Sequence, residues 1–204
     1  RGLVLLSVPY SPRPWDGIQP TALMKKMAGD MIFYIVYFQE PGKVEKELEA
    51  DVRRTVVNTF YSASGDPPPE KRWQFIFPKD KKFIDTAFAP DKLPAWLTEK
   101  DIDFFTEAFQ RTGFHGGVNW YRNSDRNWEL TPFLSGAKIL QPALFIAGEL
   151  DGVIAFSRGA FEKLEKSVPN LKQKILIPGA GHWIQQERPR EVNDLLLTFI
   201  QSLK

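Results

Sequence analysis

The 204-residue sequence contains no cysteine and only two histidines, His115 and His182. Without thiols there is no disulfide, no thiol nucleophile and no thiolate metal site, and two imidazoles are too few for a multi-histidine zinc centre. Zero cysteine fits a reducing compartment, so a cytoplasmic location is the expectation. Long apolar runs are missing too. Stretches such as Met31–Phe38 fall far short of the ~20 residues that span a bilayer, so no membrane is expected as a partner. Nor does charge of one sign dominate: 27 basic and 25 acidic residues are interspersed and leave a net charge of +2. With no basic stripe, nucleic acid is not an expected partner. Arg1-Gly2 leads straight into a strand-like run, so no signal peptide is expected. What is present is 43% apolar and 25% charged residues, a globular balance long enough for one domain with a sizeable core. Aromatics reach 13%, which suits a deep apolar pocket, although core packing needs the same residues.

The pattern along the chain is α/β at both ends with a helical middle. Leu3–Pro9 is a continuous apolar run, the type of strand buried on both faces of a parallel sheet. Residues 10–20 are rich in Pro and Gly and leave the sheet. Residues 21–64 look helical, with Pro41-Gly42 stopping one helix and a charged run over 43–54 at i,i+4 spacing. "SGDPPPEKR" is a loop whose three prolines make a rigid turn, and 73–97 is irregular. "LTEKDIDFFTEAFQRTG" carries a capping box at Thr98 to Asp101 and a stop at Gly113. Then "PALFIAG" reads as a strand, 157–167 as a helix, "QKILI" as a strand and 186–203 as an amphipathic closing helix. That alternation marks a doubly wound, mostly parallel sheet. The expected organisation is a core strand in 1–10, an inserted helical cap in 11–130, and the rest of the core in 131–204.

Within that frame "PALFIAGELD" ends in Asp151 and "QKILIPGAGH" ends in His182. Neighbouring parallel strands lie roughly 5 Å apart with their carboxyl ends on one edge, so the two loops can bring a carboxylate to an imidazole nitrogen. Asp151 would then fix the His182 tautomer while the other ring nitrogen acts as general base. Glu149 is a rival for the acid role that spacing does not decide. No G-x-S-x-G elbow is present, and Ser7 lies in an apolar run with no glycine beside it. In such sheets the order is nucleophile, acid, histidine, so the nucleophile is expected upstream of Leu3, and the chain is expected to be a fragment.

The motifs "LVLLSVPY", "YIVYFQEPGK", "LPAWLTEKDIDFF", "GFHGGVNWYRN", "NWEL", "GELDGV" and "GAGHWIQQERP" cover nearly the whole sequence. In this order they resemble the C-terminal two-thirds of an α/β-hydrolase-fold epoxide hydrolase of the soluble plant and bacterial type. The resemblance implies an aspartate nucleophile in a G-H-D-W-G elbow, an H-G-x-P loop supplying oxyanion-hole amides, and an ester intermediate hydrolysed by a His-activated water. Neither the elbow nor that loop occurs in this sequence. Carried over residue by residue, the acid is Asp151, the base is His182, and the two tyrosines that hold and protonate the epoxide oxygen are Tyr34 and Tyr121. Ile35, Val153, Ile154 and Trp183, beside these four, are the candidate substrate-binding residues. The implied partners are a small apolar epoxide, water, the missing N-terminal half of the same fold and, as a candidate, a second copy in a homodimer. No cofactor and no metal are implied.

Read from the sequence alone, Tyr34 in "FYIVYF" would pack in a core, with Tyr37 one turn on as its confounder; alignment on "YFQEPG" makes Tyr34 functional and Tyr37 structural. Tyr121, between Trp120 and Arg122, could equally be packing. His115 in "FHGGV" resembles a lipase oxyanion loop but follows a helix stop, so it reads as a turn. Lys25-Lys26 and the 43–54 run read as solvated helix faces. Two other functions stay open: a haloalkane or fluoroacetate dehalogenase with the same Asp–His pair, and a non-catalytic hydrolase-fold binding protein. The tyrosine pair argues against the first, because halide release needs no proton. An intact Asp151 and His182 argue against the second.

Overall fold

The structure is a computed structural model that describes residues 1–14 and 17–203. Trp15 and Asp16, inside the expected 10–20 loop, and Lys204 lie outside the described residues. Strands are labelled in chain order: β1 (Leu3–Leu6), β2 (Ile32–Phe33), β3 (Ile76–Phe77), β4 (Ala143–Gly148) and β5 (Leu171–Ile177). The chain divides into two compact units, one of Arg1–Pro14, Ala63–Pro68 and Phe133–Lys204, the other of Trp15–Ser62 and Pro69–Pro132. Residues 63–68, inside the stretch expected to be cap, thus group with the first unit.

The first unit is built on a parallel three-stranded sheet in the order β1-β4-β5. All six residues of β4 are buried, as its central place requires. Their alternation splits the core into two faces. Leu144 and Ile146 pack with Val4, Leu6, Ile177, Ile184, Val192 and Phe199 on one face, under helices Ile184–Glu187 and Pro189–Gln201. Ala143, Phe145 and Ala147 pack with Leu3, Leu5, Ile154, Leu164 and Val168 on the other, under the short helices Gly152–Phe156, Arg158–Glu162 and Leu164–Ser167. Burying each such Leu, Ile or Phe stabilises the fold by about 1.5–3 kcal/mol, and helices on both faces are what a parallel sheet needs.

Several boundaries differ from the sequence expectation. β1 is half-buried, not buried on both faces, because among the described residues it is an edge strand. It stops at Leu6 because Ser7 takes a left-handed φ of 62° in a γ-turn closed by Val8 N–H on Leu6 O at 2.7 Å. The helix expected over 157–167 is three short pieces beginning at Gly152. The closing helix breaks at Arg188, since Pro189 disfavours the helical conformation in the residue before it, and restarts with Pro189 in its first turn.

In the second unit the expected helical stretch 21–64 is interrupted by β2, which pairs antiparallel with β3, itself in the region expected to be irregular. "YIVY" is one turn of helix, Tyr34–Tyr37. Around it Tyr37, Phe38, Val44, Leu48, Phe77, Phe83 and Val118 form an aromatic-rich core. Helix Glu99–Thr112 starts at a capping box in which Thr98 Oγ1 accepts from Asp101 N–H at 3.2 Å and Asp101 Oδ2 accepts from Thr98 N–H at 2.9 Å. No helix among the described residues is long and apolar enough to cross a membrane.

Candidate active site

In the first unit the loops after β4 and β5 bring two side chains together: His182 Nδ1 lies 3.0 Å from Asp151 Oδ2. The Asp151 carboxylate is almost completely buried, whereas the His182 side chain is 27% exposed. A carboxylate can only accept, so Nδ1 carries the proton and Nε2 is left as the basic nitrogen. The second Asp151 oxygen, Oδ1, accepts Val153 N–H at 2.8 Å, capping helix Gly152–Phe156 and fixing the carboxylate in the plane that meets the ring. Glu149, the rival acid, is exposed and contributes its backbone N–H to Ile177 O at 3.0 Å.

The two strand-end loops approach closely because glycine lines them. A Cβ on Gly148 would sit 2.2 Å from the carbonyl oxygens of Ala180 and Gly181, and one on Gly181 would sit 2.2 Å from Ser64 C. The His182 backbone is held from both sides: its N–H donates to Ala63 O at 2.9 Å, and its carbonyl accepts from Ser7 Oγ at 2.9 Å. The strained backbone at Ser7 thus belongs to the residue that anchors the histidine loop. Glu187 is buried as well. Its Oε2 accepts Gly181 N–H at 2.8 Å and Gly65 N–H at 2.9 Å, and its Oε1 accepts Trp183 N–H at 2.9 Å.

In the second unit Tyr34 and Tyr121 meet. Their rings are 5.5 Å apart at 74°, edge to face. Tyr34 also touches the rings of Phe38, Trp73 and Phe75. Burial, and then the Tyr121 neighbour, push the Tyr34 phenol well above its ordinary pKa, so it stays protonated as a donor. Tyr37 differs. It is buried, its hydroxyl donates to Glu47 Oε1, and Lys43 Nζ sits 4.4 Å over its ring. That hydroxyl is already occupied.

Two groups that sequence reasoning missed hold the pair. Gln39 Nε2 donates to Ile35 O at 2.8 Å and to Tyr121 O at 3.1 Å, tying the two tyrosine-bearing segments together. Arg122 forms a bidentate pair with Glu45, with NH2 to Oε2 at 2.9 Å, and its Nε donates to Phe38 O at 2.9 Å. The 43–54 run is therefore not simply a solvated face. Glu45 is buried, and the Arg122 guanidinium lowers its carboxyl from the ordinary 4.5 to about 2. A later basic residue beside the "NWY" motif was the only sequence signal for such a pair.

The remaining expected residues are placed as follows. Ile35 is half-buried in the helix of Tyr34, and Val153 is half-buried after Asp151. Trp183 stacks edge-on against His182, with ring centres 4.9 Å apart. Ile154 is buried in the core beside Phe145 and Leu164. His115 is exposed and starts helix His115–Arg122, where a turn was expected; its Nδ1 lies 3.5 Å from Glu45 Oε1.

A parallel sheet covered on both faces, with an Asp–His pair on the loops after two adjacent strands, defines the α/β-hydrolase class of architecture. No family model matches the chain. Epoxide hydrolase A of Mycobacterium tuberculosis is 41% identical over 199 residues, which are 98% of this chain and 61% of that protein. Epoxide hydrolase 2 of Siraitia grosvenorii is 42% identical over 209 residues, 99% of this chain and 62% of the relative. Among solved structures, an epoxide hydrolase from an endophytic Streptomyces superposes with a TM-score of 0.94 at 40% identity, covering 99% of this chain and 61% of that one. The chain is a homologue of the α/β-hydrolase-fold epoxide hydrolases and spans about three-fifths of the length of these relatives.

Proposed function

We propose that the protein carrying this chain opens an epoxide with water to give a vicinal diol, by way of an alkyl-enzyme ester. The sequence offers no elbow motif for a nucleophile, so the attacking carboxylate is assigned to residues outside these 204. That carboxylate forms a bond to an epoxide carbon as the ring C–O bond breaks, and Tyr34 or Tyr121 gives its proton to the departing oxygen. His182 Nε2 then takes a proton from water as the water oxygen adds to the ester carbonyl. The bond from that carbon to the alkyl oxygen breaks, the departing alkoxide takes the proton from the imidazolium as the second hydroxyl of the diol, and the regenerated enzyme carboxyl returns its proton to the tyrosinate. Asp151 stabilises the imidazolium formed in that step.

The observation that carries this reading is the tyrosine pair. An Asp–His pair serves many hydrolases, whereas an alkoxide leaving a strained ring needs donors aimed at its developing charge. Two phenols whose rings meet, one kept protonated by burial and then by its neighbour, are such donors. The substrate is a small apolar epoxide, since the rings around Tyr34 are apolar. The cytoplasm remains the compartment of this reading, supported by zero cysteine.

A single turnover of the full-length protein in H2-18O tests the ester route. Water attacks the ester carbonyl, so the label enters the enzyme carboxylate and the first diol formed carries none. A first-turnover diol bearing the label would mean direct attack of water on the epoxide, and no diol from any small apolar epoxide would refute the activity.

A further inference from the structure

The buried Glu187 carboxylate accepts backbone N–H groups from both residues that flank His182, Gly181 at 2.8 Å and Trp183 at 2.9 Å, and a third from Gly65. Three amide donors on two oxygens of one side chain, itself 6% exposed, is a specific arrangement and not a solvated helix terminus. Helix packing does not require it: Ile184, one turn earlier on the same helix, already supplies the apolar anchor to the sheet face. Each oxygen points at a bond that sets the course of the backbone immediately before or after the histidine.

We propose that Glu187 is a positioning residue for the general base, acting through the loop backbone to hold the His182 ring on Asp151. This inference rests on the base role given to His182 above. The physical reason lies in the donor count. Holding Gly181 and Trp183 at fixed distances from one rigid carboxylate leaves the intervening residue little freedom, and His182 has its own N–H and C=O held by Ala63 and Ser7. The ring itself meets the Asp151 carboxylate and the Trp183 edge. Gln has one acceptor oxygen and would turn an NH2 towards an amide donor, so Glu187→Gln cannot satisfy all three. The Glu187→Asp side chain is shorter by one methylene and cannot reach both flanks at once. In either variant the ring is free to leave Asp151, and displacement of a catalytic group by about 1 Å costs on the order of 100-fold in rate.

The test uses the full-length protein with 15N-labelled histidine, the His182 resonances being assigned by their loss in His182→Gln. In the unmodified protein His182 is a single Nδ1–H tautomer and the Gly65, Gly181 and Trp183 amides exchange slowly with solvent. Glu187→Gln mixes the tautomers by loosening the Asp151 contact. Glu187→Asp does the same to a smaller extent. Ester hydrolysis slows on the order of 100-fold in Glu187→Gln, so kcat and KM fall together while kcat/KM, set by alkylation, is little changed. Leu164→Ala, a core truncation on the opposite face of the sheet, lowers the melting temperature but leaves the His182 resonances where they were. If Glu187→Gln melts lower like Leu164→Ala while the His182 tautomer stays unchanged, the proposal is overturned. Fast exchange of the three amides in the unmodified protein overturns it without any variant. Normal His182 behaviour in a protein that opens no epoxide would fault the enzymatic reading instead, because the nuclear resonance measurements do not depend on turnover.

Discussion

Replacing Tyr34 by Phe removes one oxygen and leaves a ring that contacts Phe38, Trp73, Phe75 and Tyr121. Packing therefore survives and the loss is one donor to the developing oxyanion, worth about 2–4 kcal/mol in comparable holes. Since each 1.4 kcal/mol is tenfold, the ring-opening step slows by about 30- to 1000-fold in Tyr34→Phe and by a similar factor in Tyr121→Phe. The two rings are in contact, so the single effects do not add independently, and the double variant measures their coupling. Tyr37→Phe is the control. Its hydroxyl donates to Glu47, so its removal costs about 1–3 kcal/mol of stability through an unpaired buried carboxylate oxygen but leaves ring opening near normal. Stopped-flow fluorescence of the alkylation phase, with urea melts of each variant, separates rate from stability. Ring opening that is slow in Tyr37→Phe and unchanged in Tyr34→Phe would refute the assignment of donors. Unchanged rates in both Tyr34→Phe and Tyr121→Phe would refute epoxide opening by these phenols altogether.

Two further outcomes follow from the same geometry. Glu45 has a folded-state pKa of about 2 against the ordinary 4.5, so its pairing with Arg122 contributes fully above pH 4.5 and is lost as pH falls through about 2. Glu45→Gln is then destabilised by about 3 kcal/mol at pH 7, and the gap to the unmodified protein in chemical melts narrows below pH 4.5; a gap independent of pH would contradict the pairing. Because the Tyr34 pKa is raised well above its ordinary value, ring opening does not fall through phenol ionisation between pH 7 and 10, and a loss centred below pH 10 that vanishes in Tyr34→Phe would show that the phenol is not held in its neutral form.

The Asp151–His182 juxtaposition was legible because strand alternation, strand spacing and two loop residues are all local signals. The uniformly apolar β4 reads as a strand buried on both faces, and is one; β1 reads as doubly buried from its own sequence but is half-buried, an edge strand among the described residues. Glu187 was not legible, since a glutamate early in a helix is ordinary on a solvated surface and its backbone partners leave no trace in residue identity. The Arg122–Glu45 pair joins residues 77 apart, and nothing in a charge run marks which member folds inward. β2 was hidden in an aromatic run whose residues suit strand and helix alike, and its partner β3 lies more than 40 residues away. The amphipathic period over 186–203 reads as one helix, whereas Pro189 divides it, separating Ile184–Glu187 from Pro189–Gln201.

The central claim is that His182 serves the second chemical step alone, and intact-mass measurement of His182→Gln in the full-length protein tests it most directly. The account predicts that the variant still alkylates and then stalls, gaining the mass of one epoxide per enzyme within a burst and holding it, because only ester hydrolysis needs the general base. Continued diol formation with no trapped adduct, or bound epoxide with no covalent gain in mass, would contradict it.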